Sequence, residues 1–578
     1  MARRTIYLET FGCQMNELDS ELVAGRLRAM GYAFSPEPDA ADVVLYNTCS
    51  VRDHAEQKVR SRLGEMSLRK KTDPALIVGI LGCMAERDGT AMISRFPVVD
   101  ILCGPGELDK LPGMLDNAVR TREAILSEEA SPDVKPRTQR QVALQGNASR
   151  RSSTLAAAGD TLEMLDLSRS ISPTDHTGSA YVRITRGCNK FCTYCVVPST
   201  RGAEVHRPPE HIIDECRRLA DAGVIEVTLL GQTVNHYRFE HGAAVTVGGV
   251  IQPQKGRSFQ GGHRRDPLAG ERVTTFANLL RRIHDEVPGI QRLRFVTSYP
   301  RDFGDDVLEA IRDCPRICRF LHVPAQTGSD RMLLAMNRGY TIGEYLDFID
   351  RARSCLDQPE IGRPLTIAGD MIAGFCGETE QDHLASLELL RRARFKNCFI
   401  FKYSPRPGTT AFDRLADDVP EDTKRRRVNE LLAVQSQVSD EISREQIGRR
   451  LPVFVQGFSP RQTKAVRAAA EAVQPGGVTL TILGQGAPSS PSGDTCSTHG
   501  SLVLSDTAGL TPSSAGAQLT ARTDGDLIVH FECPSGRSMD ELVGRIVPVT
   551  ITSANALTLP ISLRSSGRIA AERDSALA

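Results

Sequence analysis

Residues 187–195 read GCNKFCTYC, so Cys188, Cys192 and Cys195 place three thiols in one tight loop, spaced C-x3-C-x2-C, straight after a predicted strand (YVRITR). Thiolate is the soft ligand that iron–sulfur clusters use, and three of them can each bind one iron of a [4Fe–4S] cubane, leaving the fourth iron without a protein ligand. Structural zinc would need a fourth protein ligand. His206 and His211 are near in sequence, but they precede and occupy a predicted helix. A zinc loop and three unrelated buried thiols are the alternative readings. A second set is dispersed. Cys13 (ETFGCQMN), Cys49 (LYNTCSVR) and Cys83 (ILGCMAE) each fall just after a predicted strand. Equivalent positions on neighbouring parallel strands converge at one sheet edge, where ligands bind. One such cysteine reads as a small buried hydrophobe; three at one topological position read as a second three-thiol site. Cys103 (VVDILCGPGE) follows a fourth strand in the same way. It is read as a packed core thiol, with closure of the cluster by a fourth ligand as the alternative.

The elements that must position these thiols follow from periodicity. From residue 3 to about 120, short β-rich runs (RTIYLETFG, ADVVLYNTC, ALIVGILGC, VVDILCG) alternate with helical stretches, which predicts βαβ units and a parallel-sheet α/β domain. Residues 125–178 are polar, Ser/Arg/Gln-rich and aperiodic, and read as a linker or disordered insertion. From about 180 to 394, six strand–helix units (YVRITRGC, VIEVTLLGQ, RLRFVTSYP, RFLHVPAQ, LTIAGDMIAGF, NCFIFKYSP) predict an open or partial (β/α)6 barrel with its chemistry at the strand C-termini. Residues 240–271 break the rhythm and read as a surface loop insertion. A charged helix spans 420–448, and short strands with Gly and Pro breaks after it (LPVFVQGF, DLIVHF, GRIVPVTITSA) predict a small all-β barrel interrupted by an Ala/Gly/Ser/Pro-rich stretch at 459–520.

Composition sets exclusions. A chain of 578 residues is three domains' worth, and 40% hydrophobic content supports substantial cores. Lys+Arg and Asp+Glu are both 71, which excludes a globally basic, histone-like surface and confines any nucleic-acid contact to local patches. The chain has no Trp and 5% aromatics, so broad base-stacking platforms are not expected. Apolar runs such as ALIVGILGC fall far short of the ~18–20 residues of a membrane span, and no secretory signal is read at the start. Fifteen Cys without that signal favour metal or catalytic thiols over disulfides.

The GCNKFCTYC loop resembles that of the radical SAM superfamily, whose open iron chelates S-adenosylmethionine (SAM). FGCQMNELDS, YNTCSVRDHAEQKV, GCMAERDG and VDILCGPGELDKLP resemble the N-terminal domain of the methylthiotransferase family of radical SAM enzymes. TRGCNKFCTYCVVPSTRGAEVHRP, VTLLGQTVNHY, RFVTSYPRDF, FLHVPAQTGSDRML, MNRGYT and KYSPRPGTTA extend the resemblance through the central domain. It implies four segments: an N-terminal domain with an auxiliary cluster (3–122), a linker or insertion (123–177), a radical SAM core (178–447, insertion near 240–271) and a TRAM-like RNA-binding β barrel (448–565, insertion near 459–520).

The implied reaction methylthiolates C2 of an isopentenyl (dimethylallyl) adenosine at position 37 of tRNA. One SAM donates methyl to a sulfur at the auxiliary cluster, and a second yields the 5′-deoxyadenosyl radical. Two [4Fe–4S] clusters and SAM are the implied cofactors: Cys13, Cys49 and Cys83 hold the auxiliary cluster, and Cys188, Cys192 and Cys195 hold the SAM-chelating one. The implied partners are tRNA, an electron donor and a sulfur source, for a cytoplasmic monomer with no membrane attachment. Sibling methylthiotransferases, acting on threonylcarbamoyl-adenosine tRNA or a ribosomal-protein aspartate, are the rival enzymes; a non-catalytic Fe–S RNA-binding protein is the rival of another class.

Further SAM-site candidates are Tyr194 in the thiol loop, a frequent adenine-side position in the superfamily, Gln232 and Gln326 at predicted strand ends, and Arg201, suited to a carboxylate or phosphate. Their plain alternatives are loop packing, strand-end capping and a surface ion pair. KRRR (424–427) reads first as a solvated helix face, with contact to tRNA phosphate as the alternative. Cys376 stands where the family has proline, which puts the rigidity of that loop at issue.

Overall fold

The computed structural model describes residues 4–50, 53–128, 140–145, 160–171, 178–256, 269–270, 272–463, 502–503, 517–534, 536–554 and 559–560. In the N-terminal domain the strands Thr5–Phe11, Val43–Thr48, Ile77–Gly82 and Ile101–Cys103 pair successively in parallel. These strands are hydrophobic on alternate residues towards both faces, because both faces are covered. Ile6, Leu8, Val43 and Leu45 meet Leu18 and Leu22 of the helix Gln14–Ala29 and Leu115 of Leu111–Glu128. The intervening residues Tyr7, Val44 and Tyr46 meet Val59 and Leu63 of the helix Asp53–Thr72.

The expected linker at 123–177 is corrected where it is described. Gln141–Ala143 adds a parallel strand beside Ile101–Cys103. The helix Thr161–Leu167 is wedged between the two large domains, with Glu163 and Asp166 buried. Around it runs one buried ionic network. Arg183 donates to Asp166 at 2.7 Å and to Asp19 at 3.0 Å. Arg207 donates to Glu163 at 2.9 Å and to Glu215 at 2.8 Å, and Arg169 joins Glu215 at 2.8 Å to Glu21 at 2.5 Å. Polar composition suggested disorder here because the partners lie far away in sequence.

Removing one member leaves a buried charge uncompensated. Asp166→Ala is therefore expected to cost about 3–5 kcal/mol, read as a lowered urea midpoint; a change within about 0.5 kcal/mol, the size of an ordinary surface substitution, would show that the network does not hold the domains. Acid is a second probe. Burial alone would raise the Glu163 carboxyl, but Arg207 and the His211 hydrogen bond outweigh it and lower it to about 2. Its contribution is thus present above the ordinary carboxylate value near ~4.3 and fades as pH falls towards about 2.

The central domain carries six parallel strands in two runs of three. Ser179–Arg183, Glu226–Leu230 and Arg292–Phe295 form one run; Phe320–His322, Thr366–Ala373 and Asn397–Lys402 form the other. The parallel bridge Leu293–Ile317 joins them, and the outer strands are unpaired with each other among the described residues. Amphipathic helices such as Pro209–Asp221 and Phe276–Glu286 close the outside over one continuous core. The stretch 240–271, expected as an irregular loop, contains a hairpin (Thr246–Val247 with Val250–Ile251) turned at Gly248–Gly249, and a strand, Gln254–Lys255, paired to Val205–His206. Residues 257–268 and 271 lie outside the described residues.

The C-terminal sheet is antiparallel: Arg450–Phe458 pairs with Gln518–Thr523 and Ile546–Thr550, and Gln518–Thr523 pairs with Ile528–Glu532. Most of the expected insertion at 459–520 lies outside the described residues. This domain docks at the N-terminal ends of the central strands. Arg292 donates to the carbonyls of Arg522 and Pro452 at 2.8 Å, and Arg294 pairs with Asp526 at 2.5 Å. The strand C-termini are left to the N-terminal domain. Of the KRRR run, Lys424 and Arg427 are buried, paired with Asp417 and Glu378, so it is not a wholly solvated helix face.

Candidate active site: two thiol triplets across a domain boundary

Cys13, Cys49 and Cys83 all lie at the C-terminal edge of the N-terminal sheet. Gly12 and Gly82 set up two of these turns. Each has a left-handed φ (+147° and +88°), and a Cβ on Gly12 would stand 2.6 Å from the Cys49 Cβ. Cys13 caps the start of the helix Gln14–Ala29, Cys83 starts Cys83–Asp88, and Cys49 opens the loop after Val43–Thr48. Asn16 and Asn47 fasten them: the Cys13 thiol donates to Asn16 Oδ1 at 3.1 Å, and Asn16 Nδ2 donates to Asn47 Oδ1 at 2.9 Å. Both asparagines were missed by sequence reasoning, although each lies within three residues of a thiol.

A hydrogen bond from Cys49, outweighing burial and aided by Arg201, lowers the Cys13 thiol to about 5, while burial pushes Cys83 up. Cys103 is buried in the sheet core, its thiol donating to the Glu107 carbonyl at 3.3 Å.

Cys188, Cys192 and Cys195 occupy the loop after the first central strand. Burial pushes Cys188 up and Cys195 up to about 12. Buried thiols of this kind are costly as bare thiolates, whereas a coordinated metal deprotonates them outright. Three thiols with no fourth protein ligand are a donor set that fits a multi-iron cluster at each site better than a closed structural zinc site.

The two triplets face each other. The short helix Val197–Thr200, which follows the second triplet, packs on Cys83–Asp88, and Cys83 contributes to raising Cys195. Arg201 lies on this seam. It is not a surface ion pair: its guanidinium is buried, donates to Asp19 at 2.9 Å and sits in the field of Cys83 and Cys13.

Tyr194 is half-buried, edge-on to Phe375, and Arg338 reaches both its hydroxyl at 3.5 Å and the Cys192 sulfur at 3.4 Å. Arg338, within MNRGYT, was missed as a site residue; its signal was a lone cation in a conspicuously polar turn. Gln232 lies beyond its strand with its Oε1 buried and unpartnered. Gln326 is buried at φ +77°, its N–H donating to the Asp370 carbonyl. Phe191, Thr297 and Asn337 also have positive φ, so backbone strain gathers around the ends of these strands and the thiol loop. Hydrogen bonds to cluster sulfur set its potential. Arg338→Met is therefore expected to shift the midpoint potential of a cluster held at Cys192 to more negative values, read by an EPR-monitored redox titration; an unchanged potential would dissociate Arg338 from that sulfur.

Residues 182–390 match the radical SAM superfamily, and residues 5–104 match the family described as uncharacterized protein family UPF0004. Fold and thiol loop thus define a radical SAM protein fused to that N-terminal module. The chain is 42% identical over 463 residues to tRNA-2-methylthio-N(6)-dimethylallyladenosine synthase of Rhodopirellula baltica, covering 80% of this chain and 85% of the relative. It is 38% identical to the synthase of the same description from Chloroherpeton thalassium, covering 79% and 86%. The chain belongs to the family of these synthases, the radical SAM methylthiotransferases. Among solved structures it is similar to the radical SAM methyltransferase TsrM of Kitasatospora setae, at a TM-score of 0.43 and 14% identity, over 71% of this chain and 74% of that one. No helix among the described residues is long and apolar enough to cross a membrane.

Proposed function

We propose that this chain methylthiolates C2 of N6-isopentenyl adenosine 37 in tRNA, using SAM both as methyl donor and as radical source. The observation that carries the reading is the pair of three-thiol sites, one in each domain, turned towards one another across the Arg201 seam. Family membership supplies the substrate class. On this reading Cys188, Cys192 and Cys195 hold one [4Fe–4S] cluster, and Cys13, Cys49 and Cys83 hold the other. When bound, the first supplies the electron that splits SAM and the second supplies a seat for the sulfur that is transferred. The chain's own residues do the remainder. Arg338 and Tyr194 fix the loop around Cys192. Arg201 places a permanent positive charge beside Cys13 and Cys83, which would favour an anionic sulfur there, and Asp19 holds it in place. The buried network of Asp166, Arg183 and Asp19 keeps the two sites in register. An electron donor and a sulfur source complete the system, in a cytoplasmic monomer.

The test uses anaerobically reconstituted full-length chain, reductant, SAM and tRNA carrying isopentenyl adenosine 37, with mass spectrometry of the digested nucleosides. The 2-methylthio nucleoside and 5′-deoxyadenosine are expected together. Modification of threonylcarbamoyl-adenosine tRNA instead would transfer the chain to a sibling activity. Absence of 5′-deoxyadenosine from fully loaded protein would leave an Fe–S RNA-binding protein.

A further inference from the structure

A third cluster of ligating side chains lies apart from the thiols. Glu204, His206 and His236 each offer one ligand atom within 4.8 Å of the other two. All three are buried, at 0%, 1% and 7% exposure. Glu204 and His206 flank Val205 on the segment after the thiol loop, and His236 lies in the turn beyond Glu226–Leu230. The carboxylate accepts from Thr233 Oγ1 and lies 2.8 Å from His236 Nδ1. His206 has no such satisfaction: its Nδ1 is buried with no hydrogen-bond partner, which ordinarily costs about 1–3 kcal/mol.

The lid over the cluster comes from the segment that interrupts the barrel. Gln254–Lys255 pairs with Val205–His206, and a Cβ on Gly256 would stand 2.8 Å from His206 Nε2 and 2.9 Å from Glu204 Cγ. Only a glycine lets the backbone close so tightly over the two side chains. Gly256 N–H donates to the Glu204 carbonyl, and its own carbonyl accepts from Asn189, next to Cys188.

We propose that Glu204, His206 and His236 bind a divalent cation of the zinc class, a structural ion that ties the insertion strand and the turn at His236 to the base of the thiol loop. Two imidazoles and one carboxylate are a donor set that zinc and its neighbours accept, with a fourth position left for water. The unpaired His206 nitrogen, the surplus of imidazole over carboxylate and the sealing strand are accounted for together. A hydrogen-bonded triad without metal accounts for the Glu204–His236 contact alone. This ion is separate from the iron of the proposed function, and its absence would leave that function untouched.

The experiment uses full-length reconstituted protein washed with chelator, equilibrium dialysis against zinc, and zinc K-edge X-ray absorption. The expected result is one zinc per chain, an unchanged iron content, and a first shell of nitrogen and oxygen at about 2.0–2.1 Å without sulfur at about 2.3 Å. His206→Ser is expected to weaken zinc binding at least about 100-fold, the upper range seen when even an outer partner of a ligand is lost. His211→Ser, whose ring pairs with Glu163 instead, should bind as the parent does. No stoichiometric zinc in the parent protein, sulfur in the first shell, or parental affinity in His206→Ser would each overturn the proposal. The first two outcomes do not depend on any variant folding.

Discussion

Cys188→Ala is expected to abolish 5′-deoxyadenosine formation and methylthio product together, and to lower the iron content from about eight to about four per chain. Cys188 opens the thiol loop after the first central strand, buried and anchored by its N–H to the Gly202 carbonyl at 3.2 Å. With two thiols left, two irons of the cubane lack a protein ligand instead of one, the cluster is not retained, and SAM has no source for its electron. Quantifying 5′-deoxyadenosine by chromatography after reduction checks this, and production at the parental level would remove Cys188 from the radical site.

Cys13→Ala should behave differently, because its thiol belongs to the other domain. Cleavage of SAM should continue near the parental rate, while the methylthio nucleoside falls below detection. Cys13 heads a helix, and the neighbouring Cys49, Arg201 and the first backbone N–H groups of that helix favour its thiolate form. Its loss again removes about four irons, but the second loop keeps all three of its ligands. Chromatography for 5′-deoxyadenosine, run beside mass spectrometry of the tRNA nucleosides, separates the two outcomes. Normal methylthio product from Cys13→Ala would refute the division of labour between the sites. Joint loss of both products would mean that the radical site depends on the N-terminal domain for its integrity.

Much of the site is legible in the sequence because a C-x3-C-x2-C loop after a strand is local chemistry, complete within nine residues. The dispersed triplet was accessible through topology: parallel strands of similar length bring their ends to one edge, so three cysteines one or two residues beyond three strands converge. Arg201 could not be placed this way. Its position just after the thiol loop suggested a role beside that loop, but its buried partners are Asp19 and the first-domain thiols, and a sequence does not say which way a long side chain turns at a domain seam. The helix Thr161–Leu167 was hidden for a related reason. Its acids look solvated when read alone, and burial is possible only because Arg183 and Arg207, from two other segments, meet them. The same applies to Lys424 and Arg427, whose charge run suggested solvent until Asp417 and Glu378 came into view.

What the sequence determined by itself is the set of elements and the thiols at their ends, since periodicity, glycine placement and cysteine spacing act over a few residues. The facing of the two triplets, the arginine between them, the docking of the C-terminal sheet at the far ends of the central strands, and the gathering of Glu204, His206 and His236 under an inserted strand were decided only by tertiary structure. The reason is physical. These features depend on pairing between charges and donors that are distant in the chain, and such pairs become worth their desolvation only once the hydrophobic cores have brought them together.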